Sequence, residues 1–274
     1  MISIEFFGSP GSGKTTIRNF LAKEFEKMSI KTLDNKKLIL YGFITNSKNN
    51  FLKRLIFFFL FHQLNFMDNS LVTKFILKNI MYFKKKEINN FFLKEFKNFN
   101  RQYNSFVHSF SKKIELNKGI DSRMKFVKRW IYNEGIAFKL SKAHNKKNFI
   151  LINSEGFFQR AIRYFYADFK KNEGKINPGL LSNFLNKTPK SDYLIYVNTS
   201  IVNSKKRIKG KKISVIEKEE MLKNIDSMSK ISSILFRKLH KKNSKKLKIN
   251  GDKDLNENIS YLIKFFKKEL ATKN

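Results

Sequence analysis

Residues 6 to 16 read FFGSPGSGKTT. Gly8, Gly13, Lys14 and Thr15 stand in the fixed places of the pattern G-x-x-x-x-G-K-[ST], and Gly11 loosens the middle. A loop of this kind turns its backbone N–H groups inward around phosphate oxygens, which demands backbone angles that side chains forbid. Lys14 would then neutralise β- and γ-phosphates, and the Thr15 hydroxyl would be a ligand for Mg²⁺. The dipole of a following helix adds positive potential at the same place. Gly8, Ser9, Pro10, Gly11, Ser12, Gly13, Lys14, Thr15 and Thr16 are therefore the expected contacts to a nucleotide phosphate chain.

A triphosphate held with a divalent ion needs a carboxylate at the end of a neighbouring strand. Glu155 is the expected one, as a metal ligand or a proton acceptor, because it ends the apolar run NFILINSEG and precedes Gly156, which permits close approach. Asp34, after the short run IKTL, is a second carboxylate with similar placement. Arg160 and Arg163 lie one helical turn apart beyond Glu155. Arg207 sits in the basic segment KKRIKGKKIS, which could close as a lid. Arginine offers bidentate donors to the charge that develops on a transferring phosphoryl group, so Arg160 and Arg207 join Lys14 and Glu155 as expected catalytic groups.

These residues need a frame. The apolar start ISIEFF reads as a strand, and TTIRNFLAKEFEKM places Ile17, Phe20, Leu21, Phe25 and Met28 on one face of a helix. IKTLD, NFILINSEG, DYLIYVNTS and KKLKING read as further strands. KKLILYGFITN (36 to 46) fits a strand or a helix start equally. Helical patterns follow the strands at FFQRAIRYFYADF, from about Glu217 to Lys241, and at LNENISYLIKFFKKEL. A Pro-containing loop is expected around Pro178 and Pro189. Strands alternating with helices imply parallel pairing and a doubly wound α/β sheet, with ligands beyond the carboxyl ends of the strands. Between about Lys48 and Asn145 the spacing is helical throughout. The expected organisation is a core of 1–47 and 146–274 with a helical insertion, 48–145, that binds the acceptor or acts as a lid.

The chain has 274 residues, 57 Lys plus Arg against 22 Asp plus Glu, and a formal net charge of +35. The excess is mostly Lys, accompanied by abundant Asn, Ile and Phe, a mixture that an AT-rich coding sequence writes everywhere. It is discounted as a sign of nucleic acid, although a positive field attracts phosphorylated ligands. No cysteine is present, which excludes disulfides, thiolate metal sites and cysteine nucleophiles. His62, His108, His144 and His240 lack metal-ligand spacing. Residues 53–66, KRLIFFFLFHQLNF, are too short to cross a bilayer. They read as a buried helix, with peripheral membrane contact as the alternative. The N-terminus lacks a signal-peptide pattern, so a cytoplasmic protein is expected. The sequence does not set the oligomeric state, and a homodimer is compatible with it.

GSPGSGKTT, LINSEGFFQRA, YLIYVNTS followed by a helix and RIKGKKI, and the ending LKINGDKDLNENISYLIKFF occur in the order found in P-loop nucleoside and nucleotide kinases. Over about residues 1 to 35 and 146 to 270 the chain resembles thymidylate-kinase-like proteins. That resemblance implies a three-layer P-loop fold with a parallel five-stranded sheet, ATP with Mg²⁺, a basic lid residue near Arg207, and contact to the nucleotide base from NGDKD. Where that family has an Asp-Arg pair this chain has Ser154-Glu155, so Glu155 would supply the carboxylate one place along. The expected activity is transfer of the γ-phosphate of ATP to a small acceptor. Sulfotransfer, and a nucleotide-dependent binding module using the basic insertion, are the competing readings.

Overall fold

A computed structural model of the chain describes residues 2–35, 38, 85–105, 134–140, 149–154, 156–239 and 244–272. Its elements run β1 (Ile2–Phe7), α1 (Lys14–Lys27), β2 (Lys31–Leu33), α2 (Lys85–Gln102), β3 (Phe149–Asn153), α3 (Phe157–Lys171) and α4 (Pro178–Lys187). They continue with β4 (Tyr193–Asn198), α5 (Ile201–Lys209), α6 (Val215–Lys238), β5 (Lys245–Asn250) and α7 (Leu255–Ala271). The five strands form one parallel sheet in the order β2-β3-β1-β4-β5.

Period-two alternation assigns the two faces of the central strands. Glu5 and Phe7 point one way from β1, and Phe7 meets Phe158 of α3, Tyr196 of β4 and Phe236 of α6 at ring distances of 5.8, 5.4 and 6.4 Å. On the opposite face Tyr193 of β4 packs on Phe266 of α7 at 5.1 Å, and Phe266 meets Phe25 of α1 at 5.5 Å. Helices thus cover both faces, which is why β1 and β4 are buried along nearly their whole length, β4 as an apolar run and β1 with Ser3 and Glu5 taken into the interior. Ile4↔Tyr193 through Phe7↔Tyr196 sets the β1–β4 register, and Tyr193↔Lys245 through Asn198↔Asn250 sets β4–β5.

By packing, the chain divides into two compact units, one of residues 2–32 with 152–274 and one of residues 33–151 with residue 1. In the second unit Phe99 of α2 is fully buried. It stacks on Tyr103 at 5.0 Å, and a Cβ on Gly135 would lie 2.6 Å from its ring. Tyr103 in turn meets Phe138 at 5.5 Å. The expected helical character of 87–99 is present in α2, and residues 134–140 are helical. The remaining patterns of 48–145, the segment 53–66, the run 36–46 beyond Leu38, and all four histidines lie outside the described residues.

Two expectations need correction. Phe20 is 42% exposed rather than part of the α1 core, because the stripe facing the sheet is the narrower set Ile17, Leu21 and Phe25. Residues 178–187 form a helix where a loop was expected around Pro178. Asn177 caps it by accepting the Leu180 N–H, and Pro178 occupies the first turn, where its missing N–H costs nothing. Leu180, Leu181, Phe184 and Leu185 bury its inner face, and Phe184 packs on Phe158 and Phe165 of α3 at 5.5 and 5.4 Å.

Candidate phosphate-binding site

The loop between β1 and α1 carries two of its glycines in the left-handed region, Gly11 at φ 74° and Gly13 at φ 89°. Close packing restricts it further. A Cβ on Gly8 would fall 2.6 Å from the Val197 carbonyl at the end of β4, and one on Gly11 would fall 2.4 Å from the Ser204 carbonyl on α5. Ser12 N–H closes a turn on the Ser9 carbonyl at 3.2 Å. Lys14, only 8% exposed, folds back so that its Nζ donates to the Ser9 carbonyl at 3.3 Å. The first-turn N–H groups of α1 lack intrahelical acceptors by geometry and open toward the loop. Thr15 and Thr16 are exposed there, whereas Ser9, Gly11 and Ser12 are buried.

These features fit a phosphate chain. The loop carries its glycines at the turns, its lysine already lies across it, and the Ser12 hydroxyl is buried with no hydrogen-bond partner among the described residues. Thr15 presents an exposed hydroxyl beside Lys14, as a Mg²⁺ ligand would need. Among the described residues no three His, Cys, Asp or Glu side chains cluster as a metal cage.

Two residues that sequence reasoning did not assign complete the frame. Glu5, 2% exposed in the interior of β1, sends its Oε1 to the N–H groups of Phe158 and Gln159 at 2.7 and 3.1 Å. It is a cap supplied from another element, an anion set against the N-terminal dipole of α3. Gln159 then accepts the Gly8 N–H at 3.0 Å, tying α3 to the start of the glycine loop. The close approach at Gly156 is made by Glu5, since a Cβ there would lie 2.4 Å from the carboxyl carbon. The signal was legible as one acid inside an otherwise apolar strand, because a buried carboxylate must find donors.

The expected site residues fall as follows. Gly8 through Gly13 form the loop, and Lys14, Thr15 and Thr16 open α1, with the Lys14 side chain folded back across the loop. Glu155 lies outside the described residues. Arg160 is half-buried and Arg163 exposed, both on α3. Arg207 lies on α5 against the loop, its Nη1 donating to the Ser12 carbonyl at 3.3 Å and its Nη2 to the Gly251 carbonyl at 2.8 Å. Asp34 follows β2 in the other unit, where its carbonyl accepts the Leu38 N–H and its neighbour Asn35 donates to Glu134.

Residues after β4 and β5 meet beside the loop. Thr199 Oγ1 donates to the Ser12 carbonyl at 2.9 Å, and Gly251 N–H to the Asn198 carbonyl at 2.7 Å. Asp252 accepts from the Ser200 N–H at 2.8 Å, from its hydroxyl at 3.1 Å and from the Asn203 amide at 2.8 Å. Burial pushes its carboxyl upward, but those donors and the Arg207 charge outweigh burial and hold it below the usual carboxylate range.

No protein-family model matches the chain, and no curated protein does. Among solved structures the chain is similar to deoxyadenosine kinase from M. mycoides. With dCMP product and a flexible dCDP bound, that structure is 12% identical, with a TM-score of 0.44, over 97% of this chain and 99% of the other. With bound dATP the values are 13% and 0.42, over 97% and 100%. With bound dCTP they are 12% and 0.45, again over 97% and 100%.

Proposed function

We propose that this protein is an ATP-dependent phosphotransferase of the P-loop kinase type, moving the γ-phosphate to a small nucleoside- or nucleotide-like acceptor. The observation that carries the reading is the glycine loop after β1, closed by Lys14 at 3.3 Å from the Ser9 carbonyl and opening onto the exposed Thr15. Lys14 would exchange the Ser9 carbonyl for phosphate oxygens, a gain because charge-assisted bonds to an anion are about twice as strong as neutral ones. Thr15 would hold Mg²⁺, which would supply neutralisation of phosphate charge. Glu155 and Arg160 are proposed as the carboxylate and the cation on the α3 side. NGDKD after β5 is proposed as the contact to the base.

The order of motifs favours the thymidylate-kinase-like branch of these kinases. Residues 48–145 are proposed as the source of acceptor specificity, and the cytoplasm, with its ATP, as the place of action. The test is ³¹P NMR of the protein with ATP and Mg²⁺ against a panel of nucleosides, nucleoside monophosphates and sugars. A new phosphorylated acceptor is expected. ATP turnover that ignores every acceptor overturns the reading, and tighter binding of a sulfate-donor nucleotide than of ATP turns it to sulfotransfer.

A further inference from the structure

We propose that Arg207 is a positioning residue, a fixed brace that with Thr199 holds the Ser12 carbonyl and thereby turns the Gly13 N–H into the phosphate loop. The inference rests on residues 8–16 being a phosphate loop and changes what Arg207 does for it. A basic residue in a lid must be free to travel onto its ligand. Arg207 instead commits two donors to two carbonyls, Ser12 at 3.3 Å and Gly251 at 2.8 Å. Its guanidinium lies against the loop, with Nη1 3.1 Å from where a Gly13 Cβ would be. The helix that carries it is anchored too. Ser200 caps α5 by accepting the Asn203 N–H, and Ser204 and Ile208 are fully buried.

Peptide geometry links the brace to the ligand. No peptide bond among the described residues is cis, so the Ser12 carbonyl and the Gly13 N–H point in opposite directions from one plane. Two donors fix that carbonyl, Thr199 Oγ1 at 2.9 Å and Arg207 Nη1 at 3.3 Å. Fixing one side of the plane fixes the other, so the Gly13 donor is aimed before any ligand arrives. The Ser12 side chain gives no help, since its hydroxyl has no partner among the described residues. Gly251 is part of the same device, because a Cβ there would fall 2.1 Å from Thr199 Oγ1 and 2.8 Å from the Ser12 carbonyl. Asp252, held by Ser200 and Asn203, places its negative charge toward Arg207. Lysine could not replace this arginine, since one ammonium lacks the planar fork that spans two carbonyls.

The test is calorimetric titration of inorganic tripolyphosphate and of ATP, each with Mg²⁺, into the wild type, Arg207→Ala, Arg207→Lys, Thr199→Val and Arg207→Ala/Thr199→Val. The brace predicts that Arg207→Ala weakens both ligands by one common factor, about tenfold or more, and that Arg207→Lys does not restore them. Thr199→Val, nearly isosteric and the safeguard should the arginine variants fold poorly, weakens both by about fivefold. The double variant loses less than the product of the two, because both donors act on one carbonyl. In turnover the KM for ATP rises while kcat stays within about threefold, as uniform binding requires. Weakening of ATP alone would make Arg207 a base contact, and a fall in kcat at unchanged affinity would make it a transition-state cation; either overturns the brace. Wild-type affinity in both single variants overturns it while leaving the phosphate loop standing. A wild type that binds neither ligand overturns both.

Discussion

Replacing Glu5 by alanine strips the N-terminus of α3 of the carboxylate that caps it and leaves the Phe158 and Gln159 N–H groups, now 2.7 and 3.1 Å from its oxygen, without that acceptor. Phe158 is buried and Gln159 half-buried, so water can reach the second donor more readily than the first. A buried donor left unsatisfied costs about 1–3 kcal/mol; taking about 2 for Phe158 and about 1 for Gln159 gives about 3 kcal/mol. Gly156→Ala reaches the same contact from the other side. Its φ of −75° suits alanine, so no torsional strain arises. The new Cβ, however, would stand 2.4 Å from the carboxyl carbon and 2.6 and 2.7 Å from the oxygens, which evicts the carboxylate. That substitution should also cost about 3 kcal/mol, for loss of the same two bonds. Independent sites would give about 6 kcal/mol for the double variant, but a shared contact can be lost only once, so about 3–4 kcal/mol is expected. Urea unfolding followed by circular dichroism measures the cycle. Amide exchange at Phe158 and Gln159 reports locally, with acceleration of about a hundredfold expected in each single variant. Additive losses, or unchanged exchange in Glu5→Ala, would refute the reasoning.

Three further outcomes follow from the same structure. Gly11→Ala meets both the Ser204 carbonyl at 2.4 Å and a φ of 74°; left-handed backbone alone costs about 1–2 kcal/mol, and the ATP-induced rise in melting temperature should disappear. Tyr193 is raised above its ordinary value of 10.0, by burial first and then by its 2.6 Å hydrogen bond to Glu269 and that residue's charge. The raised value means the neutral phenol is favoured in the fold, so its stabilisation is complete below pH 10.0 and is lost as pH climbs above it. Tyr193→Phe should flatten that alkaline decline in thermal melts. Asp252 is held below 3.8, so its contribution is present above that pH and lost as pH falls further; Asp252→Asn should remove this acid-side slope.

The glycine loop after β1 and its frame were legible because their causes are local. Glycine at Gly11 and Gly13 is demanded by backbone angle, and the apolar run of β4 is demanded by burial on both faces. Pro178 was misread although Asn177-Pro178 followed by Leu180, Leu181 and Phe184 carries a helix start in its own residues. Glu5 was harder, because its role depends on α3 lying 153 positions away along the chain. Arg207 was picked out for its charge, whereas its geometry depends on Ser12 and Gly251 arriving from two other strand ends. Long-range partners of this kind leave no periodicity to read. Glu155 was placed by the same strand-end reasoning as the loop and lies outside the described residues.

The central claim is that the loop of residues 8–16 holds the phosphates of ATP for transfer, and Lys14 tests it most directly. Acceptor-dependent formation of ADP should be compared between the wild type and Lys14→Ala, with circular dichroism to check that the two share one fold. The Lys14 ammonium donates to the Ser9 carbonyl of its own loop at 3.3 Å, so the comparison of folds is part of the test. The account predicts a loss of turnover of about a hundredfold or more, the scale of a buried charge-assisted contact to the transferring group. Undiminished turnover in Lys14→Ala would contradict it.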